Sequence, residues 1–172
     1  METTQQTSKQ YFRTLSIMHI ALIIGLVFFS LIVIYLIISR QLTGDIGLAH
    51  IFLYIVSLFT LAGLFGSNLI YKNKIAKIKT NNDLMAKMTN YRSAMIIRWA
   101  FLEGPAFLSI VAIMLSSNLI FLSFTGLIIA RMIYLRPTMK TAIFDLELDQ
   151  KEIAIMEDPE SILIEFPKME QY

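Results

Sequence analysis

The stretch "IMHIALIIGLVFFSLIVIYLIIS", residues 17–39, contains no Asp, Glu, Lys or Arg. A helix needs about 20 apolar residues to cross the hydrocarbon of a bilayer, and this stretch is long enough. It also exceeds the apolar core of a cleavable export signal, roughly 7–15 residues, and no small-x-small cleavage motif follows closely. A retained span is therefore expected. Three further segments qualify, 51–71, 95–115 and 118–135, which predicts an all-α integral membrane protein with four transmembrane helices.

Composition agrees with that reading. Of 172 residues 56% are hydrophobic and only 16% charged, against about a quarter charged in soluble domains. The net charge of +2 is too small to suggest a nucleic-acid partner. Cysteine is absent and histidine is limited to His19 and His50, so neither a disulfide framework nor a metal site is expected. The chain carries no zincin motif, phosphate loop, Cys/His pair or nucleophile elbow, which argues against an enzyme and implies no cofactor.

Basic residues set the expected orientation. Lys9 and Arg13 precede the first span, and Lys72, Lys74, Lys77, Lys79, Lys87 and Arg92 fill the link 72–94. Arg136 and Lys140 follow the fourth span, whereas the opposite side holds only Arg40 and Asp45, with no charge in "SSN" (116–118). The positive-inside tendency places both termini in the cytoplasm, and a bacterial inner membrane is the expected location. The basic link has helical spacing on both sides of "TNN" (80–82), which supplies a break and capping side chains. It reads as a helical extension of spans 2 and 3, with lysines available to anionic headgroups.

Residues 1–136 thus form the expected four-helix transmembrane domain, and 137–172 an acidic cytoplasmic tail. In the tail Ala142, Ile143 and Leu146 share a helical face, and Asp149 with Glu152 forms a capping-box pattern for a second short helix ending near Asp158-Pro159. So small a segment cannot build its own core; it packs on the hairpin, on a partner, or stays mobile. Its acidity opposite the basic link suggests that the two meet.

The spans carry a repeat. At an offset of 79 residues, Arg13 aligns with Arg92, Gly25 with Gly104, Phe28 with Phe107 and Ser30 with Ser109. At an offset of 63, Gly63-Leu64 aligns with Gly126-Leu127 and Ile70-Tyr71 with Ile133-Tyr134. Two parallel copies of a helical hairpin are inferred. Small residues let membrane helices approach closely, so Gly25, Ser30, Gly63, Ser67, Gly104, Ser109 and Gly126 are expected on the inner faces.

The third span, which includes "IRWAFLEGPAF" (97–107), holds the costly residues. Glu103 and Arg131 lie 14 residues on either side of Ser117, which puts them at similar depth in an antiparallel hairpin. An unpaired mid-span charge costs at least about 2.5 kcal/mol, so an intramembrane ion pair is expected. The alternative is an ion site, with Glu103 binding or relaying a cation and Arg131 tuning it. Arg98 lies nearer the cytoplasmic surface and can extend its charge toward the interface. Pro105 removes a donor to Phe101 and is expected to bend the helix, with Gly104 leaving room beside it.

"AFLEGPAFLSIVAIML" (100–115) resembles the carboxylate-bearing helix of the rotary ATPase proteolipid, or c subunit, and "LAGLFGSNLIYKNKI" (61–75) is similar to its glycine-rich first helix. That resemblance implies an ion-carrying role for Glu103. The chain differs in lacking a dense glycine ladder, in its longer basic loop and in having Arg131. The whole pattern also resembles small uncharacterised four-span bacterial inner-membrane proteins, which implies no mechanism. Two functions follow as expectations. One is a non-enzymatic accessory or assembly subunit that docks a protein partner, or copies of itself, through the basic hairpin and acidic tail. The other is an ion- or proton-conducting component, proteolipid-like or part of a transporter, that uses Glu103.

Overall fold

A computed structural model describes residues 3–167. The regular structure of the described residues is helical apart from one small sheet. In order it forms β1 (Thr3–Thr7), α1 (Ser8–Ile38), α2 (Leu48–Lys79) and α3 (Leu84–Ser116). A 3-10 turn at Leu119–Phe121 then leads into α4 (Leu122–Tyr134), followed by α5 (Met139–Leu146), α6 (Gln150–Glu157) and β2 (Ile162–Pro167). Three helices are long and apolar enough to cross a membrane, and a fourth span is reached if residues 119–134 and 139–146 are counted together. This is the architecture of a helical membrane protein.

The chain divides into two compact units. The first unit gathers residues 3–18, 71–96 and 137–167. It therefore joins the chain start, the α2–α3 connection and the tail, where the sequence suggested a boundary after residue 136. Its core uses one stripe of each helix: Tyr11 and Leu15 of α1, Ile75 and Ile78 of α2, Met88, Tyr91 and Met95 of α3. Ala142 and Leu146 of α5 and Met156 of α6 complete it. The three- and four-residue spacings are those of amphipathic helices facing a shared interior. Burial raises the Tyr11 phenol above its ordinary pKa, and its hydroxyl donates to the Met88 carbonyl at 2.8 Å.

Local signals end these helices as expected. The Asn81 side chain accepts from Asp83 N, and the Asp83 carboxylate accepts from Met85 N and Ala86 N at the start of α3. The Asp149–Glu152 capping box is present. The basic link and acidic tail meet in two ion pairs, Lys79–Glu147 and Lys87–Glu152, each at 2.6 Å. The sheet was not anticipated. β1 pairs antiparallel with β2, and the register shifts between Gln6 and Thr7 so that Leu163 is skipped. Adjacent Leu163 and Ile164 are both buried as a result, because a bulge breaks the in–out alternation.

The second unit contains residues 19–70 and 97–136. α3 is its most enclosed helix: half of its apolar window is buried, against 17% for α1 and 22% for α2. Trp99, Leu102, Ala106, Ile110 and Ile113 form the buried stripe of α3. α1 and α2 present Ile24, Phe28, Leu31, Tyr54, Leu58 and Phe65 outward. An exposed apolar band of that extent is unsuited to water and suited to lipid.

Only some of the small residues lie where the repeat suggested. Ser30, Gly63, Ser67 and Ser109 are buried. Gly25, Gly104 and Gly126 have open space where a side chain would begin. The close approach falls at Gly63, where an added Cβ would lie 2.7 Å from Pro105 Cγ and 2.8 Å from the Phe101 carbonyl oxygen. The connection before α2 is similarly tight. Gly44 N donates to Ser117 Oγ at 2.6 Å and Asp45 N to the Leu115 carbonyl at 2.9 Å.

Candidate functional site

Two arginines of the second unit converge on Asn68. Its Oδ1 accepts from Arg98 Nη2 at 2.9 Å and from Arg131 Nη2 at 3.2 Å. Asn68 lies near the end of the α2 segment in this unit, Arg98 near the start of the α3 segment, and Arg131 in the last turn of α4. The three therefore occupy the end of the unit through which the chain leaves. A neutral amide oxygen carries two lone pairs and can accept both bonds. Its dipole gives each guanidinium a partner without burying a second charge.

The expected Glu103–Arg131 pair is not formed. Among the described residues Glu103 takes part in no ion pair, and Arg131 meets Asn68 and stacks over the Tyr134 ring at 5.4 Å. Equal depth sets only the axial position, and helix phase decides the rest. Leu127, Ala130, Arg131 and Tyr134 of α4 share a groove with Leu64, Phe65 and Asn68 of α2. Glu103 lies one turn from Phe107, whose ring meets Phe29 of α1 at 5.6 Å. Arg131 turns toward α2, and Glu103 is not among the residues that line that groove.

Arg98 also departs from expectation. It is only 9% exposed and reaches Asn68 rather than extending outward, because a strong acceptor lies within range. α3 runs through Pro105 as one helix. Proline leaves the carbonyl four residues earlier without its usual amide donor, and that carbonyl, Phe101 O, is the one Gly63 approaches. The room beside Gly104 is open, and no neighbouring backbone uses it.

Sequence reasoning did not assign a role to Asn68 or His19. His19 is buried, with Nε2 3.0 Å from the Met132 carbonyl and its ring 4.9 Å from that of Trp99. The signal for Asn68 was available, since the 63-residue offset aligns it with Arg131. Thr60 Oγ1, Trp99 Nε1 and Thr125 Oγ1 are buried without a hydrogen-bond partner among the described residues. No group of three or more His, Cys, Asp or Glu among the described residues is arranged to hold a metal ion. Comparison with protein families, curated proteins and solved structures finds no match to this chain.

Proposed function

We propose that the chain is a non-enzymatic accessory or assembly subunit of a membrane complex, with its first unit as the docking element. The observation that carries this reading is the folding of the chain start, the basic link and the acidic tail into one compact unit. The Lys87–Glu152 pair, with side-chain exposures of 9% and 13%, ties link to tail inside that body. Internal pairing leaves a subset of charges for a partner. Lys72 and Lys77 on α2 remain exposed, as do Glu157 at the end of α6 and Asp158 and Glu160 beyond it.

Parity supports four spans arranged as two hairpins. The chain leaves the first unit after residue 18 and returns by residue 71, then leaves after 96 and returns by 137. With the first unit assigned to one side of the membrane, as this proposal has it, each excursion contributes an even number of crossings. The positive-inside tendency makes that side the cytoplasm, consistent with a bacterial inner membrane. The repeat belongs to the same proposal: the 63-residue offset aligns Asn68 with Arg131, and these two residues are hydrogen-bonded.

The test is co-purification from native membranes in mild detergent. A stoichiometric partner held by the wild type and lost in Lys72→Glu/Lys77→Glu is expected. A chain that purifies without any partner, and conducts ions after reconstitution, overturns the reading. A second function is favoured by one observation: Glu103 is outside any ion pair among the described residues, with open space beside adjacent Gly104. A carboxylate so placed is available to carry a proton or cation within an oligomer. Under that reading Glu103→Gln folds normally and abolishes flux into liposomes.

A further inference from the structure

The groove between α2 and α4 has a volume of about 440 Å³ and is graded along its length. At one end lie Asn68, Arg131 and Tyr134; one turn earlier on each helix lie Leu64 and Leu127. The same end of both helices is therefore polar and the same adjoining stretch apolar. Its walls open sideways, with Phe65 73%, Leu127 52% and Tyr134 78% exposed. These exposures place the mouth on the lipid-facing band rather than in the interior of the unit.

The electrostatics specify what fits. A guanidinium has five N–H donors. Arg131 places one nitrogen on an oxygen that it shares with Arg98, and its Cζ lies over the Tyr134 ring. Both contacts are neutral, so the charge of Arg131 is left uncompensated by any ion pair among the described residues. Its remaining donors match a phosphate, which a guanidinium grips in a bidentate manner. Tyrosine at such a position marks headgroup depth.

The geometry points to a site for one anionic phospholipid, its phosphate on Arg131 and an acyl chain along Leu64 and Leu127. A soluble anion would satisfy Arg131 but would leave the apolar stretch unfilled. A zwitterionic lipid would fill that stretch while presenting its own cation to the arginine. Charge and shape together favour the anionic lipid. This site is separate from the docking surface proposed above and does not depend on it.

Native mass spectrometry of the full chain, delipidated in detergent, tests the assignment. The titrants are phosphatidylglycerol, phosphatidylcholine and inorganic phosphate. The wild type is expected to hold one phosphatidylglycerol about tenfold more tightly than phosphatidylcholine, the effect of one charge-assisted hydrogen bond. Arg131→Gln is expected to lose that preference, and Lys140→Gln, outside the groove, to keep it. Leu127→Trp fills the apolar stretch with Arg131 intact and is expected to weaken binding of both lipids, which tests the groove even where Arg131→Gln fails to fold. Equal binding of the two lipids by the wild type overturns the proposal. So does a preference that survives Arg131→Gln, undiminished lipid binding in Leu127→Trp, or displacement of the lipid by millimolar phosphate.

Discussion

Gly63 faces the carbonyl that Pro105 leaves without an amide donor, and a single methyl group cannot be accommodated there without displacement of backbone or proline ring. Gly63→Ala is therefore expected to destabilise the second unit by about 1–3 kcal/mol, the usual range for overpacking. Reversible unfolding in mixed detergent measures it, with Gly126→Ala, where space is open, as the neutral control. The two ion pairs of the first unit should differ in the same kind of assay. Glu152 uses both oxygens, one toward Lys87 and one toward Asp149 N, whereas Glu147 is 73% exposed. Lys87→Met, which strands a mostly buried carboxylate, is expected to cost about 3–5 kcal/mol. Lys79→Ala should cost no more than about 1 kcal/mol; equal losses would contradict this ranking. At this scale the sequence disclosed which residues were costly but not which would touch. Glu103 and Arg131 stand at equal sequence distance from the turn yet form no ion pair, because spacing along the chain does not specify which faces of the helices meet.

The helices were legible because each carries its instructions locally. The apolar run of 17–39, the Asn81–Asp83 break and the Asp149–Glu152 box all act over a few residues. The strands were not legible, because neither "TTQQT" nor "ILIEFP" has a partner within reach along the chain. Each becomes a strand only when the other arrives from about 160 residues away, and loop closure over such a distance leaves no local trace. The pairing is anchored beside the sheet by Ser8, whose hydroxyl donates to the Met156 carbonyl at 2.5 Å. Deleting residues 161–172 is accordingly expected to release β1. Hydrogen exchange should show protection lost at residues 3–7 and reduced in α6, with α3 around Trp99 unchanged. Retained protection at residues 3–7 would mean that β2 is not their partner.

For the whole molecule, the absence of cysteine makes topology directly measurable. Gln41→Cys, in the connection between α1 and α2, is expected to react with an impermeant maleimide added outside intact cells. Asn82→Cys, between α2 and α3, should react only after permeabilisation; the reverse pattern would invert the proposed orientation. The same topology constrains how the molecule is made. α1 and α2 can enter the bilayer as they emerge, each with its backbone hydrogen bonds made within the helix, and α3 does so with the one exception at Pro105. β1 cannot be completed in that way, since its mate is synthesised only once the ribosome reaches residue 167. At a synthesis rate of about 5–20 residues per second, the first strand waits on the order of ten to thirty seconds with its edge unpaired. A product interrupted before β2 would keep that edge open on the cytoplasmic face of the proposed topology. The sheet thus distinguishes a chain that includes β2 from one that stops short of it.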